Sequence, residues 1–446
     1  MTCVAEFIVA ATPPSAARAI AARAFLDTVG VALAGACEPA ARSVQQVIAG
    51  DGGGPCTVLG TALSGSAANA ALANGTAAHA LDFDDMCFVS LAHPSAPLVP
   101  AALAAAEVRG GTGAALLDAY VVGFEIEGRL GRAMNPRHYR RGWHCTATLG
   151  TLGAAAAAAR VFGLDVAETT HALAIAASEA SGLKENFGTM VKPLHAGLAA
   201  RNGILAAQLA RAGLTASGAA IDGPQGLLAA MDSERPSLAG IAGDLGVRWE
   251  ILDTGITVKL YPSCAGTHPT LDALLDLCRT HGFTAADVDA VEIGVDPIVP
   301  TILIHDRPST GLEGKFSMPF CAAAAVVRGH VGIETFDATA LQDAAIRDLQ
   351  SRVRMRVDPA IDPAATPLTQ SRVTVRLRDG RVLTADANGA RGYPDRPASD
   401  EELAVKFMSC AGAALPRDRA GAALAALREI GRQANIAALM THFVSR

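Results

Sequence analysis

At 446 residues the chain exceeds the roughly 250–300 at which a single hydrophobic core stops growing, so two domains are expected. Half of it is apolar but only 4% is aromatic, so small side chains carry the balance, which suits closely packed helices and leaves little for an aromatic cage. A formal net charge of -6 with no Lys/Arg tract argues against nucleic acid as a partner.

In chain order, Thr12-Pro13-Pro14 opens a helix ahead of Ile20, Phe25, Val29 and Leu33. Helical patterns follow at Thr148 to Phe162, stopped by Gly163, at Val166 to Ser178 and at Gly197 to Leu214. Period-two alternation comes later, in Val288 to Val295, in Arg352 to Val357 and in Val373 to Leu383 around the hairpin signal Asp379-Gly380. Helical stretches at Pro269 to Arg279 and Met318 to Val327 lie between these strands, and Tyr393-Pro394-Asp395-Arg396-Pro397 reads as a linker before helices at Glu401 to Cys410 and Arg417 to Gln433. The expected fold class is mainly α: an all-helical domain from 1–258 plus 399–446, with an α+β lid domain, 259–398, inserted into it.

The nine cysteines stand far apart without a CxxC, which fits reduced thiols and a cytoplasmic location rather than a zinc or disulfide framework. Met1 to Ala11 has no basic region and carries Glu6, so no secretory signal is read there. The longest uncharged run, Gly52 to Leu81, is broken by Pro55 and by Gly, Ser and Asn, so no membrane span is expected.

Four segments carry unusual chemistry. His79-Ala80-Leu81-Asp82-Phe83-Asp84-Asp85, followed by His93-Pro94-Ser95, puts three carboxylates within four residues, which is tolerable where they are solvated, paired with cations or functional. His144 lies just ahead of a helix start, where partial positive charge disfavours its protonated form; a structural histidine bonded to backbone is the plain alternative. Lys192 precedes Pro193 at a helix start, where its ammonium and the helix amides can hold an anion together, the alternative being a surface lysine. Lys259, in Val258-Lys259-Leu260-Tyr261-Pro262-Ser263-Cys264 with His268-Pro269 beyond, falls at the expected domain junction, where a cation can bind substrate and close a cleft or simply bridge two domains.

Together these segments resemble the MmgE/PrpD family, whose activities include 2-methylcitrate dehydratase, cis-aconitate decarboxylase and iminodisuccinate epimerase. The resemblance covers nearly the whole chain and includes Phe25 through Gly30, Asn74-Gly75 through Asp85, His93-Pro94-Ser95, His144, Gly188 through His195, Lys259 with Pro262-Ser263-Cys264, and Lys315-Phe316-Ser317. It implies a homodimer with no metal or organic cofactor, acting on a small polycarboxylate in an interdomain cleft. The family's site positions fall on Asp82, His93, His144, Lys192 and Lys259. Met86 stands where decarboxylase-like members carry threonine and epimerase-like ones serine, and Phe320 replaces a tyrosine, so two hydroxyls are missing from the pattern.

Dehydration, decarboxylation and epimerisation in such a family share a carbanion or enolate-like species beside a carboxylate, which calls for a base or acid on the reacting carbon and cations where charge develops. The expected roles are His144 as that base or acid, Lys192 and Lys259 as carboxylate anchors, Asp82 as the group that orients one of them, and His93 as a second proton donor. Met86, His268 and Phe320 are expected to contact substrate, and the two missing hydroxyls point to a smaller or more apolar-flanked dicarboxylate. The reaction expected is that of a lyase, by dehydration or decarboxylation, with epimerisation of an imino- or amino-dicarboxylate as the alternative and a noncatalytic carboxylate-binding homologue as a third reading. A terpene-cyclase reading of Asp82-Phe83-Asp84-Asp85 fails on the scarcity of aromatic residues.

Overall fold

The protein is described from a computed structural model, which covers residues 1–235, 237, 242–361 and 369–445. The chain divides into two compact units, Met1–Val258 with Ser399–Arg446, and Lys259–Ala398. The fold is mainly α, with strand confined to small sheets.

In the first unit the helices that matter for the site are α1 (Ser15–Gly35), α2 (Ala67–Ala80), α3 (Ser95–Arg109), α4 (Gly113–Met134), α5 (Cys145–Phe162), α6 (Val166–Glu179) and α7 (Val191–Arg211). Helix α5 is the central one, buried from Cys145 through Ala159 and packed by α3, α4, α6 and α7. Its 18 residues are apolar enough to cross a bilayer, but 89% of them are covered by the protein itself, as in the core helix of a globular unit. Alanine at these positions keeps helix propensity high and lets neighbouring backbones approach. Helix α6 starts on a capping box in which Asp165 accepts from the Glu168 amide and the Glu168 side chain accepts from Asp165.

Helices α2 and α7 cross closely. A Cβ on Gly75 would lie 2.9 Å from the Gly197 Cα, and one on Gly197 would lie 2.2 Å from Thr76 Oγ1. Only glycine at both positions permits this contact. One turn beyond Gly75 lies His79, and five residues before Gly197 lies Lys192, so the antiparallel crossing brings the end of α2 onto the start of α7.

In the second unit, α8 (His268–His281) and α9 (Met318–Arg328) pack against a four-stranded sheet of β1 (Val288–Val295), β2 (Val353–Val357), β3 (Ser371–Leu377) and β4 (Val382–Ala387), in the order β2-β1-β3-β4. β1 and β2 run parallel, with Val291 opposite Val353, and the other pairs are antiparallel. The alternation expected over Val373 to Leu383 resolves into β3 and β4, which meet in a hairpin at Asp379-Gly380, where Gly380 adopts φ 91°. β3 buries alternate residues, as one packed face requires.

The chain returns to the first unit through α10 (Asp400–Ala411), opened by a Ser399–Glu402 capping box. This helix packs on α1, where Lys406 pairs with Asp27 at 2.6 Å.

Candidate active site

The end of α2 forms the floor of the site. After His79 and Leu81 the backbone turns at Asp82 with φ 51°, a left-handed conformation that aspartate tolerates better than most residues. The turn aims the Asp82 carboxylate at α7, where it pairs with the Lys192 ammonium. The same ammonium lies 2.9 Å from Nε2 of His79, and Nδ1 of His79 lies 2.8 Å from Oδ2 of Asp84. An ammonium only donates, so Nε2 of His79 accepts from it and Nδ1 donates to Asp84. The result is a fixed line of charge and dipole: Asp84 carboxylate, neutral His79, Lys192 ammonium, Asp82 carboxylate.

Burial explains the protonation states. Desolvation pushes His79 down to about 3, with Asp84 pulling the other way, while the Asp84 carboxyl is held well below its usual range because His79 and His93 outweigh its own desolvation. His93 stands on the far side of Asp84, with Nδ1 at 3.2 Å from Oδ2 and Nε2 at 3.9 Å from Asp82 Oδ1. Asp84 therefore orients two histidines at once. Of the Asp84–His93 pair, only His93 retains exposed side-chain surface, 12% against 0%. Its backbone amide donates to Thr146 of α5 at 3.0 Å, which ties the loop before α3 to the central helix.

His144 caps α5, as its position in the sequence implies, and its amide donates to the Gly182 carbonyl. Its ring stacks 5.8 Å from His79, meets Phe187 edge-on at 5.0 Å, and places Nδ1 3.0 Å from Nδ1 of His195, one turn beyond Lys192 on α7. Burial and then the Lys192 charge push His144 well below the ordinary histidine value, and the same two causes push His195 down to about 4.

Asp85, the third carboxylate, behaves differently. It is fully buried, receives the Ser95 amide at 3.2 Å and shares a hydrogen bond with the Ser95 hydroxyl, which in turn lies 2.6 Å from the Tyr120 hydroxyl. Desolvation, helped by the charges of Asp27 and Asp84, pushes Asp85 up to about 8 against the pull of its Ser95 hydrogen bonds. The acidic turn is thus not a solvated cap: each aspartate is buried with its own partner, Lys192 for Asp82, two histidines for Asp84 and hydroxyls for Asp85. Lys406 closes the loop from outside, donating to the Phe83 carbonyl at 2.7 Å.

The first unit therefore brings together Asp82, His93, His144 and Lys192 among the expected site residues. One expectation changes. Lys192 is the second residue of α7 rather than a residue ahead of it, and its ammonium is committed to Asp82 and His79 instead of lying beside helix amides. Phe320 is 1% exposed and packs against Phe336 at 5.9 Å and beside Gly314, in the core of the second unit. Met86 is half-buried, its backbone bridged to Thr257 in both directions. Lys259 and His268 belong to the second unit; the Lys259 side chain is fully buried, and Nε2 of His268 lies 3.1 Å from the Ser263 carbonyl, with its ring edge-on to Tyr261. Sequence reasoning gave no role to His79, Asp84 or His195, although all three stand inside the segments it singled out.

His79, Asp82, Asp84 and His93 bring donor atoms within 4.8 Å of one another, a spacing at which a metal ion could be held. Two of these four, His79 and Asp82, already face the Lys192 ammonium, so a divalent ion would have to displace that lysine.

The MmgE/PrpD N-terminal domain matches residues 3–238 and the MmgE/PrpD C-terminal domain residues 261–429. The chain is similar to the cis-aconitate decarboxylases of Homo sapiens, 31% identical over 78% of this chain and 73% of that one, and of Mus musculus, 29% identical over 78% and 72%. It is also similar to the cis-aconitate decarboxylase of Aspergillus terreus, 26% identical over 88% of this chain and 85% of the other. With both family domains matched over most of its length, the chain belongs to the MmgE/PrpD family.

Proposed function

We propose that the protein is a lyase that decarboxylates a small unsaturated polycarboxylic acid of the cis-aconitate kind, without a metal or organic cofactor. The observation that carries this reading is the convergence of His93, His144 and the buried Lys192 ammonium on one site, in a chain similar to three cis-aconitate decarboxylases. In such a reaction one carboxylate leaves as carbon dioxide. The pair from the broken bond forms a new carbon–carbon double bond, the pair of the former double bond shifts to its far carbon, next to a second carboxylate, and that carbon takes a proton.

Each step matches a residue type in the site. Lys192 supplies positive charge where the electron pair accumulates, and its ion pair with Asp82 keeps it in place before substrate arrives. A histidine delivers the proton, His144 or His93, both oriented through Nδ1 so that Nε2 is the reacting atom. Lys259 is proposed as a further carboxylate anchor on the resemblance alone.

The reaction consumes one proton per turnover, and this gives the test. Incubating the protein with cis-aconitate, 2-methylcitrate and smaller unsaturated dicarboxylates in deuterated water, followed by proton NMR, should show carbon dioxide loss with one deuterium incorporated beside a carboxylate. Dehydration of 2-methylcitrate with no decarboxylation would replace the reading by that of a dehydratase. Deuterium exchange into an unchanged imino- or amino-dicarboxylate would replace it by that of an epimerase, for which His93 and His144, 4.5 and 5.8 Å from the His79 ring, offer two separate proton-bearing groups.

A further inference from the structure

The contact between His144 and His195 is unusual because it joins like atoms. Two Nδ1 atoms 3.0 Å apart cannot both carry hydrogen, which would set two donors against each other, nor both be bare, which would set two lone pairs against each other. One hydrogen therefore lies between the rings, and its position decides what the far side of His144 can do. When it sits on His144 Nδ1, Nε2 of that ring is bare and accepts a proton. When it sits on His195, Nε2 of His144 carries hydrogen and donates one.

The surroundings hold this pair in register. His144 is pinned by the hydrogen bond its amide donates to the Gly182 carbonyl and by Phe187 edge-on to its ring, and Gly182 packs along the His195 ring, where a Cβ would come 3.4 Å from Cγ. His195 rides on α7 with Lys192, so the cation and the second histidine are placed by the same helix turn. His195 is also the less buried ring, 6% exposed against 1% for His144. The titratable groups facing His144 besides His195 are Lys192, His79 and His93, and the hydrogen bond described at its Nδ1 is the one to His195.

We propose that His195 is the positioning residue that sets the tautomer of His144 and takes up or returns the charge when His144 exchanges a proton with substrate. This rests on the reading above in which His144 acts on the reacting carbon. In the donating direction the pair first takes up a proton, which burial and the Lys192 charge disfavour and which it therefore gives up readily: His144 Nε2–H goes to the substrate carbon while His195 Nδ1–H moves to Nδ1 of His144. Both rings end neutral, and no imidazolate forms. In the accepting direction Nε2 of His144 takes the proton, its Nδ1–H passes to His195, and the imidazolium charge rests on the less buried ring.

The test uses full-length protein labelled with nitrogen-15 at histidine, together with the variants His195→Leu and His195→Asn. Asparagine places an amide atom near the Nδ1 position, whereas leucine fills the space without a polar atom. The nitrogen-15 shifts of His144 should report one defined tautomer in the wild type and a different one, or a mixture, in His195→Leu. His195→Leu should lower kcat on the polycarboxylate substrate at least about tenfold while KM changes less than about threefold, and His195→Asn should recover part of kcat. Unchanged His144 shifts in the leucine variant, or equal kcat in the leucine and asparagine variants, would overturn the assignment. The resonance measurement needs no substrate, so a wild type that turns over no polycarboxylate would sink the functional reading and still leave the pairing decided.

Discussion

The Lys192 ammonium and Nε2 of His79 lie 2.9 Å apart although 113 residues separate them in the chain. That contact forces His79 to be an acceptor there and hence a donor to Asp84, so one lysine fixes the tautomer of a histidine that then fixes a carboxylate shared with His93. On the proposed function, the line from Lys192 to His93 is the frame that holds the proton-transferring and cationic groups in place.

Removing the cation should therefore damage more than substrate binding. Lys192→Ala leaves Asp82 buried without its partner, which typically costs about 3–5 kcal/mol of stability and should appear as a lower denaturation midpoint. Substrate binding and turnover should both fall. A Lys192→Ala protein with wild-type turnover would show that the ammonium only supports the fold.

His144→Ala should behave differently, because a group that transfers protons acts mainly in the transition state. Turnover and substrate deuterium incorporation should be lost while binding stays within about tenfold of wild type, measured by calorimetry. Near-normal incorporation in this variant would move the proton-transfer role to His93.

The four-donor cluster at His79, Asp82, Asp84 and His93 makes a definite statement about metals, because Lys192 already lies against two of its members. Treatment with EDTA should leave turnover unchanged, and added zinc should inhibit by competing with the ammonium. Stoichiometric metal in active protein, lost together with activity on chelation, would show that Lys192 is displaced in the working enzyme.

Asp85 predicts a pH dependence of stability. Its folded value of about 8 is raised above the ordinary 3.8, so between those values the folded chain holds a proton that the unfolded chain has released. The stability contributed by the protonated group is complete below the unfolded value and is lost as pH rises through the folded one. Asp85→Asn removes this proton and keeps a donor for Ser95. Melting temperatures from pH 5 to 8 should fall more steeply for wild type than for Asp85→Asn, and parallel curves would mean that Asp85 is ionised throughout.

Much of the local structure could be read from residues alone because short-range chemistry decides it. The alanine run ending at Gly163, the helix expected from Glu401 to Cys410, and the Asp379-Gly380 hairpin each depend on neighbours within a few positions, and each forms where expected. The family resemblance came from other short segments, since Asp82, His93, His144 and Lys192 stand in compact motifs. What short range could not decide is which groups face one another. Three aspartates within four residues look alike in sequence, yet one pairs with a lysine, one orients two histidines and one stays protonated beside hydroxyls. Those outcomes depend on partners from α2, α3, α4, α7 and the loop before α3, of which the α2–α7 crossing that Gly75 and Gly197 permit supplies Lys192. The sequence determined the helices, the turns and the residue types available for proton transfer; the tertiary structure decided their protonation states, because burial and the nearest charge, not the residue type, set which form of each group is stable.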